Sequence, residues 1–187
     1  SDQDVLDIYI NSNGGEVFAA TAMTAMLKRA KDKGIKVNTY VDGIAASSAS
    51  LIAMAGDTIT VYDSSMIMIH KPISYTIGNS EDMLKSAETL ENVEDATIIP
   101  LYMTKALVDE EEIKALVAAE TWMGVQKIQQ YFNVTHVTES KQPVAVDKKY
   151  FGIYKNIPES LKDITNKKPE EAEKVDYTDL YKQIAKL

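Results

Sequence analysis

Three short stretches of this chain combine residue types that can do chemistry. The first, Asn11-Ser12-Asn13-Gly14-Gly15, carries two successive glycines. Such a turn lets backbone N–H groups point into a cavity and lets a substrate approach closely, as an anion- or oxyanion-binding turn requires; it is equally the chemistry of an ordinary turn. The second is Gly43-Ile44-Ala45-Ala46-Ser47-Ser48-Ala49-Ser50. It sets Ser47 at the start of a helix, among unpaired N–H donors that favour developing negative charge. Helix caps and small packing residues are the alternative use of three serines among alanines. The third is Met66-Ile67-Met68-Ile69-His70-Lys71-Pro72, an apolar strand that delivers His70 at its end. Apolar neighbours favour a neutral imidazole, which can accept a proton from a serine hydroxyl. A histidine there can also be a satisfied polar residue, but the only other one, His136, has no comparable neighbourhood.

The elements that must hold these stretches follow from hydrophobic spacing. Val5 to Ile10 reads as a strand, and one starting so early leads us to expect an upstream part of the protein outside this sequence. Val17, Ala20, Met23, Met26, Leu27 and Ala30 form a helical pattern that Gly34 ends. Ile35 to Val41 reads as a strand, Gly43 as a turn, and Ala45 to Ala55 as a small-residue helix packed close to a sheet. Thr58 to Tyr62 and Met66 to Ile69 are short buried strands. This alternation predicts an α/β fold with crossover connections. From Asn79 a long helical run is expected, with its N-cap at Ser80-Glu81-Asp82 and a kink or division at Pro100. A second helix starts at Asp109, another spans Gly124 to Phe132, and Val134 to Val137 closes as a strand. From Glu139 onward Pro143, Pro158, Pro169 and paired charges read as a tail. Its end, Val175 to Leu187, has helix-compatible apolar spacing.

Composition narrows the partners. The 187 residues carry a net charge of −8 with 45% hydrophobic residues, the profile of a globular chain. Arg29 is the sole arginine and the pI is about 4.8, so no nucleic-acid partner is expected. The central apolar run, Leu51 to Ala55, is far short of the ~20 residues of a bilayer span, and no basic-then-apolar leader opens the chain. No membrane association is expected. The absence of cysteine excludes disulfides, thiol catalysis and thiolate metal sites, and suits a reducing compartment. Two histidines do not make an imidazole zinc set.

Together these stretches closely resemble the caseinolytic (Clp) protease proteolytic-subunit family over residues 5–138. The match runs through Ile10-Asn11-Ser12-Asn13-Gly14-Gly15, Gly43-Ile44-Ala45-Ala46-Ser47, Met68-Ile69-His70-Lys71-Pro72 and Glu120-Thr121-Trp122-Met123, in order and spacing. Within the family the chain is most similar to the phage and prophage branch, whose members act as head-maturation (prohead) proteases. Ala49-Ser50, Ala53-Met54-Ala55-Gly56-Asp57 and the Glu-Thr-Trp-Met segment carry that likeness. Departures are Glu120 where the housekeeping family has aspartate, Asn13 in place of the usual proline, and Pro100 within the long handle helix.

The resemblance implies a ClpP/crotonase-like spiral of β-β-α units, with a peptidase domain over 1–138, a helical handle over 79–119, and a charged tail over 139–187. It implies Ser47 as nucleophile, His70 as general base, Glu120 as the triad's acid, and the backbone N–H groups of Gly15 and Ser48 as the oxyanion hole. Asp109 and Glu112 are less favoured stand-ins for the acid, and Lys71 is the base of a Ser-Lys variant. No metal or organic cofactor is implied. The implied assembly is a homo-oligomeric ring acting on polypeptides such as capsid or scaffold proteins, with an AAA+ unfoldase as an ATP-dependent partner. The implied setting is the bacterial or phage-infected host cytoplasm, extending to the procapsid. Two rivals stay open: a crotonase-like acyl-CoA enzyme, and a catalytically degenerate assembly or scaffold protein.

Overall fold

The computed structural model describes residues 4–138 and 152–164. The elements in chain order are β1 (Val5–Ser12), α1 (Val17–Asp32), β2 (Lys36–Ala46), α2 (Ser48–Met54), β3 (Thr58–Tyr62) and β4 (Met66–Ile69), followed by α3 (Ser80–Val93), a π-helical turn (Glu94–Ile98) and α4 (Ile99–Met103). Then come α5 (Glu110–Ala118), β5 (Thr121–Met123), α6 (Val125–Tyr131), β6 (Thr135–Val137) and α7 (Glu159–Ile164). The α/β class and most element positions agree with the apolar spacing. Among the described residues no helix is long and apolar enough to cross a membrane.

β2 is the spine of the sheet. β1 runs parallel along one flank, from Val5 beside Lys36 to Ser12 beside Ala45. The other flank is shared: β3 pairs with Asn38–Val41 and β4 with Ile44–Ala46, both parallel. β6 extends the sheet beyond β3, and β5 pairs antiparallel with β4. β2, β3 and β4 are buried on both faces, whereas β1 is largely exposed. Alternation sorts them all the same. Val41, Ala45, Ile67 and Ile69 face the main core with α2, α4, α5 and α6, whereas Ile44, Ala46 and Met68 face a smaller cluster closed by Tyr154 and Leu161.

The structure corrects several local expectations. Gly43 does not turn the chain: β2 bulges there, with Asp42, Gly43 and Ile44 opposite the single β1 residue Asn11, and continues to Ala46 because the Asn11 side chain fills the gap in the pairing. The Asn11 Oδ1 accepts from the Ile44 N–H at 3.1 Å, and a Cβ at Gly43 would lie 2.6 Å from that same oxygen. The small-residue helix is therefore α2 alone, and Ala45 and Ala46 are strand. The N-cap of α3 is Asn79, not Ser80; its side chain accepts from the N–H groups of Glu81 and Asp82 in a capping box. Pro100 does divide the long run. Proline cannot donate into the helical ladder, and the π turn immediately before α4 absorbs the mismatch. β5 has no counterpart in the expected elements; three residues are too few to show a period. Of the tail, residues 152–164 pack on the small cluster, and the helix expected over Val175–Leu187 lies outside the described residues.

Because β4 carries the site histidine at its end, its anchoring matters. Ile67 is fully buried, between Ala45 of β2 and Met123 of β5. Ile67→Ala is expected to lower unfolding free energy by about 2–5 kcal/mol, read by urea denaturation. A loss below about 1 kcal/mol would contradict the packing described.

Candidate active site

The passage from β2 to α2 takes a single residue. Ala46 is the last of the strand and Ser48 the first of the helix, so Ser47 alone must reverse the backbone, and it does so at φ 55° and ψ −130°. A positive φ on a residue with a Cβ costs of order 1–3 kcal/mol and persists only when its surroundings over-determine it. Here the Ser47 N–H donates to the Met68 carbonyl at 2.9 Å, tying the turn to β4. The Ser47 carbonyl accepts from the Ser50 N–H at 3.0 Å and from the Ser50 hydroxyl, which is also bonded to the buried Tyr102 hydroxyl at 2.7 Å. The strained turn presents the Ser47 Oγ to the Nε2 of His70 at 2.8 Å.

The glycine turn lies against this same residue. Gly14 has φ 93°, and a Cβ there would sit 2.6 Å from the Ala46 carbonyl oxygen and 2.7 Å from the Ser47 Cβ, so glycine is required twice over. Gly15 is different: nothing lies within 4 Å of where its Cβ would be. It opens into a cleft lined also by Ser47, Ser48, His70, Ile73 and Tyr102. Ser48, as the first residue of α2, has no intrahelical acceptor for its N–H. Four of the five residues expected at the site thus border one cleft.

The fifth, Glu120, is held differently from the expectation. It occupies a left-handed turn between α5 and β5 (φ 47°). Its Oε1 accepts from the backbone N–H groups of Lys155 and Asn156 at 2.6 and 2.7 Å, and no hydrogen bond to His70 forms among the described residues. Its charge still reaches the imidazole. Burial pushes His70 below its ordinary pKa, because desolvation penalises the charged ring, and the Glu120 carboxylate opposes that shift.

The stand-ins have other work. Asp109 caps α5 by accepting from the Glu112 N–H at 2.9 Å. Lys71 pairs with the buried Glu94 at 3.1 Å, on the π turn. His136 lies 2.7 Å from Asp63 Oδ1 at the β3–β6 edge. Among the described residues no cluster of His, Cys, Asp or Glu could hold a metal ion. Two features escape sequence reasoning. Tyr154 sits edge-on to His70, with ring centroids 5.4 Å apart, and Glu94 anchors Lys71. Neither has a local signal: Tyr154 comes from a proline-bearing tail and reaches the site only through tertiary packing.

This is a mixed, mostly parallel sheet of an α/β fold carrying a serine and a histidine at adjoining strand ends. The Clp protease family model matches residues 1–141, and the chain belongs to that family. It is similar to the ATP-dependent Clp protease proteolytic subunit 2 of Chlamydia trachomatis serovar D, with 40% identity over 88 residues, 46% of this chain and 42% of that protein. It is also similar to the proteolytic subunit of Deinococcus radiodurans, with 26% identity over 136 residues, 72% of this chain and 65% of that one. The chain thus spans less than two thirds of these curated relatives. Among solved structures, a point mutant of ClpP1 from Listeria monocytogenes superposes with a TM-score of 0.63 at 21% identity, over 74% of this chain and 76% of that one. The fold is therefore the ClpP-like α/β fold.

The environment of His70 and the crowding at Gly14 can both be measured. An NMR titration of the His70 ring is expected to give a midpoint below 6.5, with Glu120→Gln lowering it further because the charge that favours imidazolium is gone. A parent midpoint above 6.5, or a rise in the variant, would contradict the environment described. Gly14→Ala is expected to cost at least about 1–3 kcal/mol in denaturation, while Gly15→Ala stays within about 0.5 kcal/mol of the parent.

Proposed function

We propose that this chain is a serine endopeptidase working through Ser47 and His70, with residues 1–138 as its peptidase domain. The observation that carries the reading is the 2.8 Å contact between Ser47 Oγ and His70 Nε2 at a strained strand-to-helix turn. The lowered His70 pKa keeps the imidazole neutral and able to accept at neutral pH. As Ser47 Oγ attacks the scissile carbonyl carbon, its proton passes to His70 Nε2. The carbonyl oxygen becomes an oxyanion, for which Gly15 and Ser48 supply backbone N–H groups at the same cleft. Such donors are typically worth about 3–4 kcal/mol of barrier. Collapse breaks the C–N bond, His70 gives its proton to the leaving amine, and a water activated by His70 releases the acyl group. Glu120 is the triad's acid in this scheme, acting on the imidazolium through its charge.

The finer reading is a phage or prophage head-maturation protease. It is supported by the sequence likeness in Ala49-Ser50, Ala53 to Asp57 and Glu120 to Met123. A homo-oligomeric ring is supported by family membership and by the handle, residues 79–119: α3 buries none of its own residues and leaves Leu84 72% exposed, a face suited to contact between copies. The relatives' printed names, ATP-dependent Clp protease proteolytic subunits, support an AAA+ unfoldase as an ATP-dependent partner and polypeptides as substrates; capsid or scaffold proteins as those substrates, and a cytoplasmic or procapsid setting, belong to the head-maturation reading. One observation favours a second reading, a catalytically silent assembly protein: the Glu120 carboxylate is bonded to tail amides and not to His70.

A fluorophosphonate probe separates the two. Labelling at Ser47, confirmed by peptide mass spectrometry, is expected in the parent, absent in Ser47→Ala and reduced about 100-fold or more in His70→Ala. A correctly folded parent that resists the probe would leave the assembly reading standing.

A further inference from the structure

We infer that residues 152–158 form a strap that sets the catalytic geometry from outside the sheet, with Tyr154 positioning His70 and the backbone of Lys155 and Asn156 positioning Glu120. The inference rests on the serine-peptidase reading. It goes beyond that reading by assigning to the tail a part in the reaction.

A histidine at a strand end keeps rotational freedom about its ring, and a Ser–His pair works only when that ring is held to within about 10–20°. Glu120 does not supply the restraint by a hydrogen bond among the described residues, its Oε1 accepting from the Lys155 and Asn156 N–H groups instead. Tyr154 is placed to do so. Its ring meets His70 edge-on, with an interplanar angle of 88°, and meets Trp122 of β5 at 5.8 Å and 78°. Its hydroxyl donates to the Asn13 carbonyl in the glycine turn. One buried side chain therefore touches the histidine, the turn bearing the oxyanion donor and the strand that follows the acid.

The next two residues act on the acid itself. The N–H groups of Lys155 and Asn156 converge on one carboxylate oxygen of Glu120, and the Asn156 side chain donates to the Ala119 carbonyl at 3.0 Å. These bonds hold Glu120 in its left-handed turn and fix the distance over which its charge acts on His70. Beyond them Ile157 and Leu161 pack with Ile44, Met68 and Trp122, so the strap is anchored on the back of the very strands that end at Ser47 and His70. Tyr154 acts on the reaction through His70 and is a positioning residue.

The test is the second-order rate of fluorophosphonate labelling at Ser47 in the full chain, alongside the ring-current shift of the His70 imidazole protons. Tyr154→Ala is expected to slow labelling about 10- to 100-fold and to abolish the shift. Tyr154→Phe keeps the ring and is expected to restore the shift and to bring the rate within about 3-fold of the parent. Asn156→Pro removes one donor to Glu120 and the side-chain bond to the Ala119 carbonyl while leaving the Tyr154 side chain in place, and is expected to slow labelling several-fold; it decides the matter if Tyr154→Ala fails to fold. A labelled parent with Tyr154→Ala or Asn156→Pro at the parental rate would overturn the strap's role, and so would faster labelling, which would make the strap a brake. A folded parent that takes no label overturns the peptidase reading instead, and the strap's catalytic part with it.

Discussion

The site depends on one backbone reversal. Ser47 must turn β2 into α2 in a single step, and a residue with a Cβ takes that conformation only when its neighbours leave no alternative. The constraint comes from three directions: the Met68 carbonyl takes the N–H, Ser50 holds the carbonyl, and Gly14 leaves no room to relax. The composition around the turn follows from this. Alanines and serines in α2 let the helix sit close on the sheet, glycine at 14 lets β1's loop reach the turn, and β4 must pair with Ile44–Ala46 so that Met68 stands opposite Ala46 and its carbonyl meets the Ser47 N–H. The same pairing brings His70 level with the serine, so the strain and the Ser–His contact share a cause.

Much of this is legible in the chain. The three stretches that could do chemistry stand at three neighbouring strand ends, as the order of strands and crossovers requires. β3 and β4 fall where their apolar runs are, and α5 begins one residue after the expected start at Asp109, which caps it. Gly43 misleads because a glycine in a strand has the same local signature as a turn; only Asn11, far off in sequence, reveals that β2 continues. Asn79 and Ser80 are both good caps, and the difference of one residue is settled by which side chain reaches the N–H groups of residues 81 and 82.

Other features are beyond local reading. The conformation of Glu120 is fixed by a long-range encounter with Lys155 and Asn156, and no pattern of spacing encodes such a meeting. Tyr154 is silent for the same reason. The tail looks like a linker by composition, yet residues 152–164 bury Tyr154 and Leu161 against the second face of the sheet. Electrostatics follow from that burial: His70 is desolvated among apolar and aromatic neighbours, and among the described residues the charged group that raises its proton affinity is the carboxylate the tail holds.

The central claim is that the Ser47 hydroxyl and the His70 imidazole act together beside converging amides. The most direct measurement is a crystal structure of the full chain after reaction with diisopropyl fluorophosphate. The account predicts a phosphoryl group bonded to Ser47 Oγ, with one oxygen about 3 Å from the N–H groups of Gly15 and Ser48 and His70 still beside it. An unmodified Ser47, with His70 turned out of hydrogen-bonding reach, would contradict it.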